Sequence, residues 1–101
     1  MDNSHTKNTN DVWYYIIVQN PGTGDEELMG FEDTHQARTF IPVFNTKEEA
    51  QQCFLLMPKD IMKNKYEVQA IIQEDVLVYA RKHGFSVYLL DDRSTIQGQV
   101  L

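Results

Sequence analysis

Val12-Trp13-Tyr14-Tyr15-Ile16-Ile17-Val18 is an unbroken run of β-branched and aromatic residues. It is too short for an ordinary helix and rich in the side chains that suit a pleated strand. Successive strand side chains point to opposite faces, so Val12, Tyr14, Ile16 and Val18 form one set and Trp13, Tyr15 and Ile17 the other. Both sets are apolar. Such a strand is covered on both sides, or its second face meets a partner. Asn20-Pro-Gly-Thr-Gly-Asp-Glu-Glu27 breaks the run with turn residues.

Working outward, 28–34 and 38–44 read as the arms of a hairpin around Thr34 to Ala37. Pro42 cannot donate to a ladder, which points to an edge strand or a bulge. Thr46-Lys-Glu-Glu49 carries the capping-box pattern. Behind it Ala50, Cys53, Phe54 and Met57 fall on one helical face, and Pro58 stops the helix. The alternation of 66–72 predicts a half-buried strand. The acids Glu74 and Asp75, the bases Arg81, Lys82 and His83, and Gly84 just beyond them bracket a second helix over 73–83. Phe85 to Leu90 reads as the last strand, closed by Asp91 and Asp92.

The expected order is β-β-β-α-β-α-β: an α+β domain with a mixed sheet of about five strands and two helices. Each strand–helix–strand unit is expected to be a right-handed crossover between parallel strands. The expected organisation is a polar tail over 1–10, a single domain over 11–92 and a flexible C-terminal tail over 93–101. Ala50, Cys53, Phe54, Met57, Val76 and Ala80 are expected to be buried against Val68, Ala70, Val87 and Leu89.

Composition limits function. The chain has 101 residues, 42% hydrophobic, with a net charge of −6. That is enough apolar surface to fold, and the acidic balance argues against nucleic acid, whose binding needs clustered Lys and Arg. No apolar run reaches the length of a bilayer span, and the first ten residues lack the apolar segment of a signal peptide. The expectation is no membrane and a cytoplasmic location. A single cysteine, Cys53, excludes an intramolecular disulfide framework; its place on an apolar helical stripe marks it as a small core hydrophobe. His5, His35 and His83 have no metal-ligand spacing. Pro21-Gly-Thr-Gly24 lacks the Lys and the following helix of a phosphate loop, and Asp25-Glu26-Glu27 after it repels phosphate. With no nucleophile elbow and no dinucleotide fingerprint, the expectation is a protein that is not an enzyme and holds no cofactor.

The informative excess is aromatic. If both helices lie on one side of the sheet, the other face of the first strand stays bare, and the last strand extends it. The candidate partner-binding residues are Trp13, Tyr15, Tyr88 and Leu90. The function read from them is a non-enzymatic interaction, regulatory or assembly protein, acting through an exposed aromatic sheet face or an edge strand on a protein partner or in a homodimer. The alternative is a small-ligand or divalent-cation-binding module using loop 20–27 with Asp91 and Asp92.

Phe40-Ile-Pro-Val-Phe44, Thr46-Lys-Glu-Glu-Ala50, Tyr66-Glu-Val-Gln-Ala70 and Gly84-Phe-Ser-Val-Tyr-Leu-Leu-Asp91 together resemble a small uncharacterised family of cyanobacteria and plant plastids. The resemblance spans roughly residues 12 to 91. It implies a cytoplasmic setting, or the plastid stroma in a eukaryote, and brings no catalytic residues with it. The Pro-Val-Phe strand running into Thr-x-Glu-Glu-Ala is also similar to the start of bacterial secretion-enhancer-B-type domains, over one strand and one helix.

Overall fold

A computed structural model describes residues 12–33, 38–56 and 65–101. The α+β class holds, with seven strands rather than five. The elements are β1 (Trp13–Gln19), β2 (Glu27–Leu28), β3 (Phe31–Asp33), β4 (Arg38–Val43), α1 (Lys47–Leu55), β5 (Tyr66–Ile72), α2 (Gln73–His83), β6 (Ser86–Leu90) and β7 (Ile96–Gln99). They form a three-stranded sheet, β2-β1-β5, and a four-stranded sheet, β3-β4-β6-β7. The expected polar tail, residues 1–10, and the expected hairpin tip, Thr34 to Ala37, lie outside the described residues.

The two sheets are joined where Tyr15 and Phe44 exchange backbone hydrogen bonds of 2.8 and 2.9 Å. At that junction β1 runs antiparallel to the end of β4, while β4 and β6 are parallel. β1 is also antiparallel to β5 in an unbroken register from Trp13–Ile72 to Gln19–Tyr66. The strand pair β2–β3 crosses from β1 to β4. Gly30 sits at the switch, where a Cβ would come within 2.8 Å of Thr39 Cγ2. Pro42 also falls in this gap. Alternate amides of β4 face one edge, so its nitrogen points the same way as that of Phe44, between the Phe31–Phe40 pair and the Tyr15–Phe44 bridge. No ladder donor is needed there, so proline is tolerated in a strand flanked on both sides.

Each helix follows from local chemistry. Thr46 Oγ1 accepts from the Glu49 amide at 3.1 Å, the expected cap. The Glu49 carboxylate takes the Thr46 hydroxyl at 3.3 Å, in place of the backbone amide that the capping box usually engages. α2 has no side-chain cap; the Val12 carbonyl accepts from the Gln73 amide at 2.7 Å instead. Gly84 ends α2 in the left-handed region (φ 73), returning its amide to Ala80 and Arg81.

Apolar alternation then sorts the side chains into two cores. Tyr14, Ile16 and Val18 of β1 pack with Ile41, Val43 and Val87 under Val76 and Ala80 of α2. Ile17 packs on the opposite face with Phe40, Phe44 and Leu90 under Ala50 and Cys53 of α1. The helices therefore lie on opposite faces of the strand layer. The cause is topological. From β4 the chain crosses over β1 to reach β5, then returns past it to β6. Two crossovers of one hand in opposite directions must place their helices on opposite sides.

The expected crossovers do connect parallel strands, since β4, β5 and β6 run the same way, although among the described residues only β4 and β6 are hydrogen-bonded neighbours. Two other expectations change. The single expected core divides in two, with Phe54 only half-buried and Ala70 exposed; Met57 lies outside the described residues. Residues 93–101, expected to be a flexible tail, instead carry β7, which pairs with β6 through a bulge at Leu89–Leu90. Backbone bonds hold this polar strand, and Val100 and Leu101 behind it pack on the α2-side core.

Candidate interaction surface

The four candidate aromatic and apolar residues do not make a bare face. Tyr15, Tyr88 and Leu90 do share one face, but α1 covers it. Leu90 is 2% exposed and is core. Tyr88 is half-buried, its ring 4.9 Å from that of Phe40. Only Trp13, 55% exposed at the open end of β1, remains available to a partner. The alternation was read in the right phase. The covering was not, because it rested on both helices lying on the same side.

The acids expected to hold a cation do not converge. β1 is antiparallel to β4 and β6 is parallel to it, so the loop after β1 and the loop after β6 leave the sheets at opposite ends. Asp25, Glu26 and Glu27 sit at one end, Asp91 and Asp92 at the other. Among the described residues, no three His, Cys, Asp or Glu side chains are placed to hold a metal ion. The loop is closed on itself: Glu26 Oε1 accepts from the Gly22 amide at 2.6 Å and Thr23 Oγ1 donates to the Asn20 carbonyl at 2.8 Å. The Asp91 carboxylate is likewise engaged, accepting from the Arg93 and Thr95 amides at 2.9 Å and from Gln97 Nε2 at 3.0 Å.

These amides, Thr95 first and then Arg93, hold the Asp91 carboxyl below its ordinary value. A carboxyl depressed in the folded state supports the fold above its unfolded pKa and loses that support as pH falls through its folded value. The 91–95 turn is therefore expected to loosen only below the ordinary carboxylate range of about 4. Amide exchange at Thr95, followed from neutral to acid pH, checks this. Asp91→Asn should flatten the profile, and a turn that opens near neutrality would contradict it.

Cys53 is fully buried and shares a hydrogen bond with Ser94 Oγ at 2.8 Å. Burial pushes its thiol up, the Ser94 hydroxyl offsets part of this, and the Asp91 charge adds to the rise. A buried, protonated thiol packs and does not attack. Ser94 itself adopts φ 64, a conformation that costs a non-glycine residue and that sets its hydroxyl on the sulfur.

Among the described residues, an open concavity of about 430 Å³ does lie at the candidate loop, lined by Gln19, Asn20, Gly24, Asp25, Glu26 and Glu27, with no apolar side chain in its wall. A groove of about 180 Å³ between α1 and β5, lined by Phe54, Tyr66 and Val68, is below the volume of a typical ligand site. A larger cleft of about 520 Å³ is lined by Arg38, Thr39, Gly84, Phe85 and Ser86. It opens at the amino ends of β4 and β6, whereas ligands of open α/β sheets bind outside the carboxyl ends.

What sequence reasoning missed is the outer edge of β5. Tyr15 turns its amide and carbonyl to Phe44, so the Tyr15–Ala70 pair is not hydrogen-bonded. Ala70, and by alternation Tyr66, Val68 and Ile72, then point their backbone groups away from β1, and the Ile72 carbonyl starts the first turn of α2. Among the described residues β5 pairs with β1 alone. The contrast with β7, the edge of the other sheet, is informative. β7 has four residues, is mostly polar and follows a bulge, all devices that blunt an edge. β5 has seven residues, no proline, no lysine, no bulge and one charge, Glu67. The signal was present in that composition. It became legible only once β5 proved to be an edge.

Comparison of the chain with protein-family models, with curated proteins and with solved structures finds no match. Among the described residues no helix is long and apolar enough to cross a membrane.

Proposed function

We propose that this chain is a non-enzymatic interaction or assembly protein that takes an extended protein segment onto the outer edge of β5. The observation that carries the reading is the row of outward backbone donors and acceptors at Val68 and Ala70, continued by the Ile72 amide where α2 begins. Added strands bind through such rows, with alternate side chains supplying selectivity. Trp13, exposed at the end of the neighbouring strand, offers large, stiff contact area near the same edge. The net charge of −6 disfavours nucleic acid and favours a segment with basic flanks, chiefly through steering. A cytoplasmic or stromal setting belongs to the same reading, supported by the family resemblance and by a lone thiol.

Ala70→Pro tests it. The substitution removes one outward amide and leaves the β1 ladder untouched, and proline is accepted on an edge strand when its nitrogen faces solvent. Linear peptides selected on the wild-type protein from a random library should shift the amide resonances of Val68, Ala70 and Ile72. Ala70→Pro should weaken them at least tenfold. Peptides that shift other residues and bind both proteins equally would place recognition elsewhere.

A further inference from the structure

We draw no further inference here: the strongest candidate, the open cleft at the amino ends of β4 and β6, sets Arg38 opposite Asp33 in the β3–β4 register, and nothing in the structure points to a ligand that would fill it.

Discussion

Phe44→Ala should destabilise the protein by about 3–5 kcal/mol, the range for a large buried aromatic truncated to alanine. Phe44 is completely buried. Its ring lies in the α1-side core with Ala50 and Cys53, while its backbone forms the only bridge joining the two sheets among the described residues. Truncation leaves the two backbone bonds to Tyr15 in place and removes the packing that holds them together. Urea titration should show a lower midpoint with an unchanged slope. A reduced slope would mean that the sheets had come apart in the native state. Phe54, on the apolar stripe of α1, is half-buried against Tyr66 at a ring separation of 5.6 Å, so its truncation should cost less.

Ile41→Ala should cost about 2–5 kcal/mol, as buried aliphatic truncations do. Ile41 is three residues before Phe44, which directly follows β4, yet it belongs to the α2-side core with Val76, Ala80 and Val87. Among the described residues the two sites belong to separate core clusters with no member in common. Milder variants, Ile41→Val and Phe44→Leu, should therefore add to within about 0.5 kcal/mol in a double-mutant cycle, as independent sites do. A larger coupling would show that the layer transmits packing strain from one face to the other.

The local elements were legible because their signals are local. Thr46 with Glu49 starts α1, the charges and Gly84 bracket α2, and alternation marks β1, β5 and β6 in the right phase. β7 was missed because Ile96-Gln-Gly-Gln99 carries little apolar signal and is held by its backbone. The layering was missed for a different reason. Nothing within Tyr66 to Ile72 says that the strand returns past β4 to lie beside β1, and that pairing alone sends the helices to opposite faces. The candidate surface followed the layering. Tyr15, Tyr88 and Leu90 were grouped correctly and then taken as bare, when α1 lies over them.

β1 also has a history within each molecule. Its partner β5 lies some fifty residues further along the chain, and the Tyr14 hydroxyl reaches as far as Gln73. At synthesis rates of about 5–20 residues per second, β1 waits roughly 3–11 seconds for that partner to be made. Throughout the wait Val12 to Val18 is a seven-residue window with no charge, no proline and no glycine. Such windows are the ones that seed cross-β aggregates. A nascent chain halted before Tyr66 should therefore be the species on which holding chaperones act. The strand that ties both sheets together in the finished fold is the one most exposed to misassembly while the fold is being made.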